Sequence, residues 1–289
     1  MTNLLKKKYF ITTTSEKIYY FDSLNKKSNT LFFIHDFIRS SSMFSKLIKE
    51  LLPHNRIICI DLPGHGKNSK VIPKSLDDIS KTINELLNKL DLDNISVIAY
   101  GAGGSILFNY IQNFGDTFLD NCILIDCTPK YINTVDWKNG LYRGEYTISD
   151  FTNDQTLLST LPKKFLTSYL SKAMPIYSED DDLNKEASPL FKFLGRYLYK
   201  KNALTLWPLI VNSDFSTLLP TIKTNINIVY ATPGSLYTEY TALYLQSIIP
   251  NSNLHPIENA SHTNILYKTI ELLNIINTTS LAKNFLTKA

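Results

Sequence analysis

"NISVIAYGAGGSILFNYI", residues 94–111, runs largely apolar, turns on small residues, and continues with apolar residues at helical spacing. A buried strand feeding a helix through a tight elbow has this pattern: a near-continuous apolar run where both sheet faces are covered, then a period of 3.6. The best-known use of such an elbow puts a nucleophilic side chain at its tip. Here the tip is Tyr100-Gly101-Ala102, and Gly101 has no side chain with which to attack.

The same alternation extends in both directions. "KYFITTT" and "KIYYFDS" read as a hairpin over residues 8–23. "TLFFIHDF", "RIICIDLPGHG", "NCILIDCTP" and "INIVYATP" read as further buried strands, and "NLHPI" as a short one. Between them, Met43, Phe44, Leu47, Ile48 and Leu51 form one helical face. Leu76, Ile79, Ile83, Leu86, Leu87 and Leu90 form another, behind a Ser75/Asp78 capping pair. Helices are expected over Tyr240–Ile248 and 263–276. Alternating strands and helices imply an α/β fold with a mostly parallel sheet flanked by helices. Residues 130–223 break the pattern with short helical patches rich in Tyr, Phe and Leu and no clear strand. The expected organisation is a core from 1–129 and 224–289, with 130–223 inserted as a helical cap. In such sheets ligands bind beyond the carboxyl ends of the strands. That edge carries His35-Asp36-Phe37, Tyr100-Gly101-Ala102, Asp126-Cys127, Gly234-Ser235 and His262.

Composition narrows the function classes. The 289 residues are 44% hydrophobic with a net charge of +4. The lysine clusters at 6–8 and 26–27 are offset by the acidic run at 179–182, and no basic stripe suits nucleic acid. No apolar run approaches the ~18 residues of a membrane span, and the N-terminus lacks a signal-peptide core. Cys59, Cys122 and Cys127 lie in or beside expected buried strands, without disulfide or metal spacing. A cytoplasmic protein without metal or cofactor is expected, its partner a small apolar or aromatic molecule, with a protein partner left open.

The strand-end residues carry a family resemblance. "FFIHDF", "DLPGHGKNS", "AYGAGG" and "NASHTN" resemble, in order, the oxyanion loop, the Asp-x-Pro-Gly-His-Gly turn, the nucleophile elbow and the catalytic-histidine loop of the α/β-hydrolase family. The resemblance covers roughly residues 29–127 and 224–278 and implies the α/β-hydrolase fold. Ordinary members use a serine, a histidine and a carboxylate. Against Gly-x-Ser-x-Gly this chain has Ala99-Tyr100-Gly101-Ala102-Gly103, and its usual acid slot reads Thr232-Pro233-Gly234-Ser235. Only His262 remains in register. Ser105 and Cys127 are poor substitutes for the nucleophile, one a turn too far along and the other a buried thiol. For the acid, Asp126 is the best placed, because some members carry theirs after this strand.

That placement is similar to the cofactor-free dioxygenases that open quinolone-type rings, which use a histidine–aspartate dyad as general base. The expected catalytic residues are therefore His262 and Asp126. His35, Asp36, Phe37, Tyr100, Gly101 and Ala102 are the expected substrate-binding set. Asp36 stands where the family usually has glycine and puts a carboxylate beside the oxyanion site. His65 reads as a turn residue. Three readings stay open: general-base chemistry of a non-hydrolytic kind, a non-catalytic ligand- or protein-binding member, and a hydrolase using histidine-activated water. A serine at position 101 is expected to fit the elbow at a cost of about 1 kcal/mol or more in backbone strain.

Overall fold

A computed structural model describes residues 4–173, except 26 and 28, and residues 201–286. Among the described residues, eight strands form one sheet. β1 (Lys6–Ile11) and β2 (Lys17–Asp22) form the antiparallel hairpin expected from the sequence, and β2 also pairs antiparallel with β4 (Arg56–Ile60). From β4 onward the sheet is parallel through β3 (Thr30–Ile34), β5 (Ile95–Tyr100), β6 (Leu119–Ile125), β7 (Asn225–Gly234) and β8 (Ser252–Ser261). β8 runs well past the short "NLHPI" segment, because its register with β7 continues to Gly234↔Ser261.

The period-2 alternation of the strands divides the core between the two faces. Phe32, Ile34, Val97 and Leu124 face one way and join Ile79, Ile83, Ile106 and Phe108. These come from α2 (Leu76–Lys89) and α3 (Ala102–Phe114). Leu31, Phe33, Ile98 and Ile123 face the other way. They pack on Leu47 and Ile48 of α1 (Ser45–Leu51) and on Leu272 and Ile276 of α9 (Thr269–Leu286), which closes the described chain. α2 begins where the sequence implies, with the Ser75 hydroxyl accepting the Asp78 amide at 3.0 Å. The helix expected at 240–248 is α8 (Glu239–Ile248).

Between β6 and β7 the described chain adds helices and no strand to the sheet: α4 (Ile148–Thr160), α5 (Pro162–Ala173), α6 (Lys201–Leu204) and α7 (Leu206–Val211). Residues 174–200 of the expected cap, with the acidic run at 179–182, lie outside the described residues. Phe165 and Tyr169 of α5 and Trp207 of α7 are buried in the same apolar cluster as Phe37, at the carboxyl end of β3. These helices therefore cover the sheet edge where the motif residues collect. No described helix is long and apolar enough to cross a membrane.

Candidate active site

Three strand ends deliver the charged groups. Asp126 follows β6 with φ 50°, its amide donating to the Val229 carbonyl of β7 at 2.7 Å. This left-handed turn aims its carboxylate across β7 toward the end of β8. There the His262 amide donates to the Gly234 carbonyl at 2.9 Å, and His262 Nδ1 lies 2.7 Å from Asp126 Oδ2. The slot after β7 holds no carboxylate. Instead, Ser235 Oγ accepts the Tyr237 amide. The acid thus reaches the histidine from the neighbouring strand.

The other face of the imidazole is also engaged. His262 Nε2 lies 3.2 Å from Asp36 Oδ2, while Asp36 Oδ1 accepts the Ala102 amide at 2.8 Å. The carboxylate also accepts the Phe37 amide. Ala102 opens α3, so the helix N-terminus adds its positive end to the Asp36 side chain. All three residues are buried, with Asp36 at 5%, Asp126 at 2% and His262 at 3% exposure.

Electrostatics follow from the two carboxylates. Burial alone would disfavour a charged imidazole, but hydrogen bonds and charge from Asp126 and Asp36 outweigh it and raise the His262 pKa to about 9. Burial likewise opposes the Asp36 carboxylate. The bond to His262, its charge, and the Ala102 and Phe37 amides outweigh that, and the Asp36 pKa is lowered. At neutral pH the His262 imidazole is therefore held in its charged form, facing the Asp36 carboxylate.

Gly101 explains how Asp36 fits. At φ 53° and ψ −117° it occupies a backbone conformation that L side chains rarely adopt. A Cβ built there would stand 2.2 Å from Asp36 Oδ1. The carboxylate of Asp36 therefore fills the space an elbow side chain would take. This corrects the expectation that a serine fits at 101: the elbow backbone has its strained geometry, but the site is occupied.

Of the expected binding residues, Asp36, Phe37 and Ala102 line a cavity with His262. Tyr131, Tyr169, Trp207 and Tyr237 supply aromatic walls that the sequence did not single out. The cavity measures about 10 Å³, room for one water molecule. His35 and Tyr100 lie behind it. The His35 ring is fully buried, Nδ1 donating to the Asp36 carbonyl at 2.7 Å and Nε2 accepting the Leu62 amide at 2.9 Å. His65 repeats the arrangement, Nδ1 donating to the Pro63 carbonyl at 2.8 Å and Nε2 accepting the Ile38 amide at 3.1 Å. Burial lowers the pKa of both, that of His65 to about 3, so both stay neutral and staple the loop that presents Asp36. Tyr100 stacks on the His262 ring, with centroids 5.0 Å apart, and holds it from behind.

The remaining candidates are occupied elsewhere. Ser105 is fully buried, its hydroxyl 3.0 Å from that of Tyr131. Cys127 packs against Gly104, and its thiol donates to the Ile125 carbonyl at 3.2 Å. Burial pushes that thiol well above its ordinary pKa. Serine-directed fluorophosphonates should therefore leave the protein unlabelled in intact-mass measurements. Stoichiometric addition at Ser105 would contradict the elbow geometry.

A family model described as the alpha/beta hydrolase fold matches residues 29–269. The chain belongs to that family. Among curated relatives of this chain is a pimeloyl-[acyl-carrier protein] methyl ester esterase of Pseudoalteromonas atlantica. It is 28% identical over 104 residues, covering 36% of this chain and 39% of the relative. A haloalkane dehalogenase of Agrobacterium fabrum is 24% identical over 110 residues, covering 35% of this chain and 36% of the relative. The chain thus spans well under two thirds of either relative. Among solved structures, an esterase from Exiguobacterium antarcticum superposes with a TM-score of 0.78 at 17% identity, over 94% of this chain and 98% of the esterase. That likeness concerns the fold.

Proposed function

We propose that this alpha/beta hydrolase is an enzyme that hydrolyses a small molecule without an acyl-serine, with His262 and Asp126 as its proton-transfer pair and residues 130–223 as the cap. One observation carries the reading. His262 lines the cavity with Nδ1 2.7 Å from Asp126 Oδ2 and Nε2 3.2 Å from Asp36 Oδ2, so one carboxylate orients the imidazole while a proton can pass on its other side. The methyl ester esterase relative, matched over 39% of its length, supports hydrolysis. Deprotonation of a flat heteroaromatic, the other enzymatic route the sequence suggests, fits less well. It would set a new anion beside Asp36 in a cavity of about 10 Å³.

A non-catalytic reading draws on the same centre. Asp36 satisfies His262 Nε2 and the Ala102 amide by itself, so the fold is complete without a ligand. A panel of short-chain esters, small alkyl halides and epoxides separates the two. Wild type is expected to turn over at least one class, with His262→Gln lower by about 10²–10⁴-fold and Asp126→Asn also impaired. Equal, background-level rates for all three proteins across the panel would leave a binding protein on a hydrolase frame.

A further inference from the structure

We propose that Asp36 is the nucleophile of this site, moved from the elbow to the loop after β3, and that it acts on a saturated carbon bearing a leaving group. The proposal rests on the reading that His262 and Asp126 move protons in this cavity. Covalent catalysis by a carboxylate needs a nucleophilic oxygen facing the substrate, amide donors for the oxyanion that forms later, and an oriented base within reach. All three surround Asp36. It lines the cavity, and its Oδ2 lies 3.2 Å from His262 Nε2. Its Oδ1 takes the Ala102 amide at 2.8 Å, and the Phe37 amide also reaches the carboxylate. Asp126, 2.7 Å from Nδ1, orients the base.

Two residues exchange roles to make this possible. A Cβ at position 101 would stand 2.2 Å from Asp36 Oδ1, so the carboxylate and an elbow side chain exclude each other. A carboxylate that only pinned the loop would need the two amides alone. This one also sets an oxygen 3.2 Å from His262 Nε2, beside the cavity that both residues line.

The reaction balances without a cofactor. Asp36 Oδ2 forms a C–O bond to the substrate carbon as the C–X bond breaks, and X leaves with the bonding electrons. The ester formed is neutral, so one of the two negative charges beside His262 is gone. The imidazolium then releases its proton, which leaves with X. Neutral His262 Nε2 takes a proton from a water that attacks the Asp36 carboxyl carbon. The developing oxyanion sits at the Ala102 and Phe37 amides. Collapse expels the alcohol, which takes the proton from His262, and the regenerated Asp36 carboxyl returns its own proton to the imidazole. The sum is R–X plus water giving R–OH plus HX. A cavity of about 10 Å³ has room for the attacking water and restricts the carbon skeleton to a few atoms. Even those require the Tyr169 and Trp207 rings to shift.

The test uses the full chain, in excess over bromoethane, in heavy-oxygen water. The first ethanol formed is expected to carry ordinary oxygen, drawn from Asp36, and the heavy oxygen should appear in the peptide containing Asp36. This arm needs no variant. In His262→Gln the second half-reaction should stop, leaving one ethyl group per chain on that peptide, removable by hydroxylamine; Asp36→Asn should take none. Propylene oxide replaces bromoethane in a parallel arm, and the reagent that forms the adduct identifies the leaving group as halide or alkoxide. Heavy oxygen in the first ethanol, without adduct, would overturn Asp36 as nucleophile and leave His262-activated water in place. Alkylation at Cys127 or His262 instead would also overturn it. No turnover or adduct with either reagent overturns it as well. Cleavage of any short-chain ester would then preserve the proton-transfer reading, and none at all would end both.

Discussion

Gly101→Ser is expected to lower stability by about 4 kcal/mol and still give no serine hydrolase. Two costs combine. A non-glycine residue at φ 53° and ψ −117° carries roughly 1–3 kcal/mol of backbone strain. The new Cβ would also lie 2.2 Å from Asp36 Oδ1, forcing the carboxylate off the Ala102 amide. A buried donor left unpaired costs roughly another 1–3 kcal/mol. The second cost should vanish in the double variant Gly101→Ser/Asp36→Gly, where the space and the amides are free again. Chemical denaturation of wild type, both single variants and the double variant closes the cycle. A coupling of more than about 1 kcal/mol between the two positions is expected. The double variant should also take up a fluorophosphonate, because its serine would face an imidazole oriented by Asp126. Additive effects would show that Asp36 and position 101 do not compete for one space.

The elbow was legible in sequence because its signals are local. An apolar run, small residues at the turn and 3.6-residue spacing beyond it define β5 and α3 without reference to the rest of the chain. The same holds for the Ser75 cap and for the strand end that carries Asp126, whereas His262 was marked by the family resemblance, since β8 runs past the short strand the sequence implies. That Asp126 reaches His262 was open in the sequence, since the contact spans 136 positions and depends on the left-handed turn at Asp126. Asp36 shows the limit more clearly. A carboxylate next to an oxyanion loop reads as an obstacle when considered alone. Only the parallel register of β3 and β5 brings it against Gly101, and there the two departures become one complementary exchange. Its partner was nonetheless written in the chain, since a missing elbow side chain and an added loop carboxylate conserve the volume of the site. The aromatic walls gave no comparable signal. Tyr131, Tyr169, Trp207 and Tyr237 come from four separate stretches with no shared spacing, and only the tertiary fold gathers them.

Asp126→Ala is expected to cost about 3–5 kcal/mol near neutral pH, because it removes one partner from a buried ionic network and leaves the other groups in place. The Ala231 and Leu236 amides, each 3.4 Å from its carboxylate, lose an acceptor as well. The pH dependence distinguishes this network from an ordinary packing defect. The folded pKa of His262, about 9, lies above its ordinary value of 6.5. Its contribution to stability is therefore full below 6.5 and is lost as pH rises through about 9. With Asp126 gone, Asp36 alone holds the imidazolium, so the alkaline loss should still begin near 6.5 but end at lower pH and be smaller in size. The acid side supplies the control. His65, neutral in the fold with its pKa lowered to about 3 from 6.5, withdraws stability as pH falls below 6.5. Asp36, whose lowered pKa also withdraws stability as pH falls, keeps its bonds to His262 and the Ala102 amide in the variant, so the acid limb should persist there. Urea denaturation across a pH series, with wild type and Asp126→Ala side by side, reads both limbs. A wild-type stability that stays flat as pH rises through about 9, or an alkaline limb identical in the two proteins, would mean that His262 is not held as an imidazolium. The resting state would then already contain a free base, and the order of events would change: water could be activated before any charge on Asp36 is lost.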